Sequence, residues 1–177
     1  MSDFMDLFGR RQSCRKFADR PVEHEKLARC IEAACLSPSG CNAQPWSFVV
    51  VENPQTVAEV AVHAQQLNFN KFLSKSKAFI VVLEEHAVLA PAVRRILDSQ
   101  YFAKGDLGAA TFAICLAAEA QGLGSCIIGI YDREKIAEIL GIPIEKQFGA
   151  LIAIGYPANP KVRKKIRKPL EETARYA

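Results

Sequence analysis

Several familiar signals are missing from this chain, and each absence removes a class of function. The six cysteines (Cys14, Cys30, Cys35, Cys41, Cys115, Cys126) form no C-x-x-C pair and no His/Cys zinc spacing. Cys30 and Cys35 stand five residues apart on an expected helix, where a disulfide would strain both backbones. Reduced thiols are therefore expected, most of them acting as small core residues, which fits a cytoplasmic setting. The opening residues Met1 to Asp6 are acidic and lack a basic flank before a long apolar run, so no secretory signal is expected. The most apolar stretch, residues 107–120, is interrupted by Thr111 and Glu119 and falls short of the roughly 20 residues a membrane span needs. A soluble protein without a membrane partner is expected. Gly122 and Gly124 form a Gly-x-Gly, but it follows a helix and precedes a strand, the reverse of the dinucleotide fingerprint, and Ile127 stands at the third glycine's position. A Rossmann site is excluded. His24, His63 and His86 lie outside every motif below, so no metal site and no side-chain acid or base is assigned.

The 177 residues are one domain's worth of chain, with half the residues apolar and about a quarter charged. Folding such a length buries roughly 70% of the unfolded surface. The net charge of +4 is unevenly spread. Residues 161–168 hold six cations, and Arg10, Arg11, Arg15 and Lys16 form a second cluster, so the rest of the chain is acidic. Two concentrated basic patches call for an anion. Nucleic acid is not the expected one, because no aromatic stacking residues are interleaved with the tail cations.

Periodicity divides the chain into alternating helices and strands. A short helix is expected over residues 3–10. A second follows residues 21–23, with Leu27, Cys30, Ile31, Ala34 and Cys35 on one stripe, ended by Ser37-Pro38-Ser39-Gly40. Residues 46–51 and 78–83 read as strands, the latter buried on both faces. Residues 56–63 and 91–103 read as helices. Residues 107–120 read as an enclosed helix capped at Gly122, with Leu123 packing back. A strand at 125–128, a helix from Asp132 to Leu140 and a strand at 150–154 complete the series. There are no internal repeats or low-complexity linkers. The expected fold is a single α+β domain with a sheet between helical layers, and the basic tail beyond Pro160 needs a partner surface.

Two segments carry chemistry. In an extended segment Arg11, Ser13 and Arg15 project to one side, and two cationic forks with a hydroxyl suit a phosphate monoester; a solvated cationic turn is the alternative. Residues 37–46, Ser-Pro-Ser-Gly-Cys-Asn-Ala-Gln-Pro-Trp, present Asn42 and Gln44, whose amides both donate and accept and suit the edge of a heterocycle. A helix–strand connection with local turn bonds is the alternative there.

Taken together, residues 11–17, 37–46, 122–126 and 149–157 resemble the FMN-dependent nitroreductase superfamily, over nearly the whole chain. The Asn-x-Gln-Pro-Trp element and the Arg-x-Ser-x-Arg opening are the most specific parts. The resemblance implies an α+β fold with a central mixed β-sheet flanked by helices, in an intertwined homodimer whose exchanged C-terminal arm, an extended basic segment over about residues 160–177, packs on the partner subunit. It implies an FMN-dependent oxidoreductase that takes electrons from NADH or NADPH and reduces nitroaromatics, quinones or similar acceptors in ping-pong turnover. A non-catalytic flavin-binding protein, or dehalogenation or dehydrogenation on the same flavin, is the alternative. By the same resemblance, Arg11, Gln12, Ser13 and Arg15 form the N-terminal flavin-binding segment, and Lys165 and Arg167 close on the FMN phosphate. Pro38, Ser39, Gly40 and Asn42 face the flavin bound by the other subunit, Asn70 meets its pyrimidine edge, and Ile128 and Gly129 lie beside the ring. The catalytic chemistry belongs to the flavin. Leu73 stands where some relatives place a Lys, leaving Lys71, Lys75 or Arg15 for that part, and residues 84–101 are expected in the substrate wall.

Overall fold

The run Ala78–Glu84 carries no polar break before its last residue, and the computed structural model, which describes residues 4–67 and 69–177, shows why. It is an inner strand with helices on both faces. Phe79, Val81 and Leu83 point into one core with Val57, Val60, Ile136 and Ala137; Ala78, Ile80 and Val82 point into the other with Leu27, Cys30, Ile114 and Ala118. Alternation along a strand sends neighbours to opposite faces.

The elements run α1 (Phe4–Arg10), α2 (His24–Cys35), β1 (Trp46–Val51), α3 (Pro54–His63), β2 (Ala78–Glu84), α4 (Pro91–Arg94), α5 (Ala103–Ala120), β3 (Gly124–Ile128), α6 (Arg133–Leu140), β4 (Phe148–Gly155) and α7 (Leu170–Thr173). The sheet order is β1-β2-β4-β3, with α2 and α5 against one face and α3 and α6 against the other. This is the expected α+β fold. All four strands pair antiparallel, and the parallel part of the expected mixed sheet is reduced, among the described residues, to the isolated bridge from Ser13 to Ser125 on β3. Burying side chains such as Leu27, Phe79, Ile114 and Leu151 contributes about 1.5–3 kcal/mol each.

Local chemistry sets the boundaries. The Asn53 side chain accepts from the amides of Gln55 and Thr56 with Pro54 in the first turn, so α3 starts two residues earlier than the sequence pattern suggests. Gly122, at φ +75°, ends α5: its amide donates to Glu119 and that of Leu123 to Ala118, the paired bonds of a Schellman cap. Asp132 caps α6 by accepting from the Lys135 amide.

Three expectations need correction. The helix expected at 91–103 is only the four residues of α4. Asp98 captures the Gln100 amide, and the Gln100 side chain turns to the Ala87 amide and the Glu84 carboxylate, which fixes a turn before α5 begins. Helix α5 is not enclosed within the chain. Leu107, Ala110, Ile114 and Ala118 are buried, but Gly108 is exposed and Phe112, Leu116 and Ala117 only half-buried, leaving a second apolar face. The tail is not wholly extended, because α7 forms in it. The opening helix begins at Phe4; Asp3 lies outside the described residues. Among the described residues no helix is long and apolar enough to cross a membrane.

Candidate functional site

Residues 11–18 leave α1 in an extended path and pair with edge strand β3 and with the segment that follows β4. The Cys14 amide donates to Ser125 at 2.8 Å, the Ala18 amide to Tyr156 at 2.8 Å, and the Ala158 amide to Lys16 at 2.9 Å. The approach demands small residues beneath it. A Cβ on Gly124 would stand 2.6 Å from that of Cys14, and one on Gly155 would stand 2.8 Å from the Phe17 ring. Gly124, second glycine of the Gly-x-Gly, is there to admit the N-terminal strand.

The C-terminal tail returns to this same segment. Gln12 Nε2 donates to the Lys161 carbonyl at 3.0 Å, while its Oε1 accepts from the backbone amide and Nε of Arg163 at 3.2 and 3.1 Å. Arg163 Nη2 reaches the Ser13 carbonyl at 2.7 Å, and Lys165 Nζ reaches the Arg11 carbonyl at 2.5 Å. Between the two segments lies a cavity of about 330 Å³. Gln12, Ser13, Arg15, Lys16, Lys161 and Arg163 line it, with Glu119 the one acid in its wall.

The electrostatics follow from that crowding. Burial, with Arg11, Arg167 and Arg163 nearby, pushes the Lys165 ammonium below its ordinary value. Burial raises the Glu119 carboxyl against the opposing pull of Arg10, Lys165 and Arg11. The Cys14 thiol, also in the wall, is raised by burial and is a poor nucleophile. The arrangement can hold an anion with several donors.

The expected site residues divide. Gln12, Ser13 and Arg15 line the cavity, and Lys165 docks at its edge on Arg11. Arg11 itself turns its guanidinium over the Phe112 ring, 5.6 Å from the centroid, and its buried Nε has no hydrogen-bond partner among the described residues. The one-sided projection expected of Arg11, Ser13 and Arg15 therefore fails at Arg11, because Phe112 on α5 offers its ring face. Arg167 Nη1 donates to the neighbouring Ile166 carbonyl; Arg163 is the tail guanidinium at the cavity. Arg163 was missed, although its two-residue spacing from Lys165 in an extended tail places both on one side.

Pro38, Ser39, Gly40 and Asn42 lie in the loop after α2, outside this cavity. Cys41, Asn42 and Gln44 have left-handed φ of 53°, 52° and 46° with right-handed Ala43 between them, each left-handed residue costing roughly 1 kcal/mol or more. Ser39 Oγ accepts from the Gln44 amide at 3.0 Å. Asn70, also left-handed, donates to the carbonyls of Ala64 and Ile130, bracing the end of α3 against the β3–α6 connection. Ile128 is a core side chain, so it offers only backbone, and Gly129 is exposed at the far end of β3 from Gly124. Leu73 is fully buried, with Lys71 and Lys75 exposed beside it. Among the described residues no His/Cys/Asp/Glu group could hold a metal ion.

Comparison with known proteins agrees with this architecture. Residues 9–156 match the profile of the Nitroreductase family. An oxygen-insensitive NADPH nitroreductase of Helicobacter acinonychis is 30% identical, covering 92% of this chain and 91% of the relative. An iodotyrosine deiodinase of Thermotoga neapolitana is 26% identical over 91% of this chain and 92% of its own. The solved FMN-dependent nitroreductase of Clostridium difficile R20291 superposes with a TM-score of 0.75 at 25% identity, covering 98% of each chain. With 148 of its residues, 9–156, inside the family profile and a 30% identical relative spanned almost end to end, this chain belongs to the nitroreductase family.

Proposed function

We propose that the chain is an FMN-dependent oxidoreductase that takes electrons from NADH or NADPH and passes them to a nitroaromatic, quinone or similar acceptor. The observation that carries this is the return of the tail to residues 11–13, which brings Arg15, Lys16, Lys161 and Arg163 around one cavity. A cavity of about 330 Å³ is at the small end of ligand pockets, which run roughly 300–1,000 Å³, and suits a phosphate and part of its chain rather than a whole flavin. The residues fit that group: Arg15, Lys16, Lys161 and Arg163 around the cavity outnumber Glu119, the one acid among its described lining residues. Ser13, Arg15, Arg163 and Lys165 would hold the phosphate, with Gln12 locking the tail over it.

When bound, FMN supplies reversible two-electron exchange at its N5 atom. The chain's part is to bind, orient and set the field. Gly124 borders the cavity and Gly129 directly follows the last residue of the same strand, roughly 15 Å on, so a ligand touching both lies along β3. Arg15 supplies positive charge at the cavity and would favour the reduced, anionic cofactor. Donor and acceptor would use the same place in turn.

The apolar outer face of α5 and the exposed Ile166, Leu170 and Tyr176 support a homodimer in which the arm beyond Lys165 packs on a second copy. The loop bearing Pro38, Ser39, Gly40 and Asn42 would then face the partner's flavin. The likeness to an iodotyrosine deiodinase supports a second reading, reductive dehalogenation at the same site. Rapid mixing of the FMN-loaded protein with NADH or NADPH, then with a nitroaromatic, a quinone or iodotyrosine, tests both. Bleaching followed by recovery with the first two supports the proposal, and recovery with iodotyrosine alone supports the second reading. A flavin that neither donor bleaches counts against both.

A further inference from the structure

The loop over residues 38–44 concentrates backbone strain, and strained segments persist only where their surroundings hold them. Gly40, at its start, is held from two sides by the beginning of α5. Its amide donates to both carboxylate oxygens of Asp106 at 3.1 Å. Its α-carbon lies so close to the Phe102 ring that an added Cβ would stand 2.6 Å away. Phe102 and Asp106 are one helical turn apart, so ring and carboxylate form a rigid two-point seat. The next residues, Cys41 and Asn42, are left-handed, and the chain curls so that the Asn42 carbonyl accepts from Gln44 Nε2 at 3.3 Å. These inner bonds shape the loop; the Asp106 bond attaches it to α5.

We infer that Asp106 is a positioning residue, which sets where the amides of Asn42 and Gln44 stand by fixing Gly40. The inference rests on the proposed flavin reading, in which this loop faces the ring. A purely structural role is also open to Asp106, because an acidic side chain in a helix's first turn favours the helix electrostatically. The two roles separate by substitution. Asp106→Asn keeps a hydrogen-bond acceptor and loses the charge; Asp106→Ala loses both.

The test measures FMN dissociation by fluorescence quenching, acceptor KM and kcat separately, and the thermal midpoint, all on the full-length protein. Positioning expects Asp106→Ala to weaken FMN or raise acceptor KM about ten-fold, well below its melting temperature, with Asp106→Asn within about three-fold of the unmodified protein. Equal losses in both variants, or a lowered midpoint with unchanged FMN affinity and KM, overturn it. Should Asp106→Ala fail to fold, Gly40→Ala provides the second arm. Its new Cβ meets Phe102, so the same ten-fold loss is expected, relieved when Phe102→Ala is added. A Gly40→Ala chain that binds and turns over normally overturns the inference. An unmodified chain that takes up no FMN overturns the proposed function and this inference with it. Normal FMN binding by every variant with unchanged KM overturns the inference alone.

Discussion

The side-chain oxygen of Gln12 accepts both the backbone amide and the guanidinium Nε of Arg163, joining residues 151 positions apart. This neutral amide holds the tail beside the carbonyls of Ser13 and Arg11, which accept from Arg163 and Lys165, without adding a charge that would compete for the anion. Gln12→Ala should release the tail. Trypsin cleavage within residues 161–168 is expected to accelerate, and FMN affinity to fall about five-fold, a net loss of about 1 kcal/mol when water replaces the three exposed hydrogen bonds of Gln12. Peptide mapping against time and a flavin titration check the two effects.

Arg15 lines the cavity without a hydrogen bond to the Gln12–Arg163 latch, so its removal should leave the latch closed. Arg15→Ala is expected to weaken FMN about ten-fold or to lower the potential of the bound flavin, since positive charge favours the reduced anion. Trypsin sensitivity of the tail should stay unchanged. Spectroelectrochemistry beside a flavin titration checks this, and unchanged affinity and potential would remove Arg15 from the site.

The contact between Gly124 and Cys14 makes a stability prediction. Gly124→Ala places a methyl 2.6 Å from the Cys14 Cβ and 2.8 Å from its sulfur, and both neighbours are held by backbone bonds. Overpacking of this kind costs about 1–3 kcal/mol. A lower denaturation midpoint is expected, partly restored by adding Cys14→Gly, which removes the obstructing atoms.

The Tyr156 hydroxyl donates to Glu23 at 2.6 Å across the start of α2, while Arg20 stacks over the Tyr156 ring. That hydrogen bond, with help from the Glu23 amide and Arg20, pulls the Glu23 carboxyl down to about 2. A carboxyl lowered on folding stabilises the fold above its unfolded value, 4.5, and the contribution fades as pH falls toward about 2. Tyr156→Phe should therefore raise the Glu23 value toward 4.5, followed by NMR titration. Its midpoint should fall below that of the unmodified protein at pH 7, and the two should draw together near pH 2.

Much of the fold was legible because local signals and burial agree. The unbroken apolar run of β2, the Leu27–Cys30–Ala34 part of the α2 stripe and the Gly122 stop of α5 each mean in the structure what they mean in sequence, while Cys35, expected on that stripe, is exposed at the helix end. The failures came where a distant partner decides. Residues 91–103 have helical composition, yet Gln100 is recruited by the Ala87 amide and the Glu84 carboxylate, which no local pattern encodes. Within the site, the cationic ends were evident as charge clusters, but which tail guanidinium reaches the cavity depends on the path set by Gln12. Arg11 was misdirected for a similar reason, since its partner Phe112 lies about a hundred residues away. The full burial of α5 was overestimated because an apolar helix face reads the same whether its own chain or a second copy covers it.

The most direct test of the account is titration of the cofactor-free protein with FMN, followed by tail fluorescence or cleavage and by the visible spectrum on adding NADPH. Saturable uptake of about one flavin per chain, protection of residues 161–168 from trypsin, and bleaching of the yellow colour are expected. Failure to take up FMN in excess, with the tail cut at the same rate throughout, would contradict the claim that the two basic ends close on a flavin phosphate.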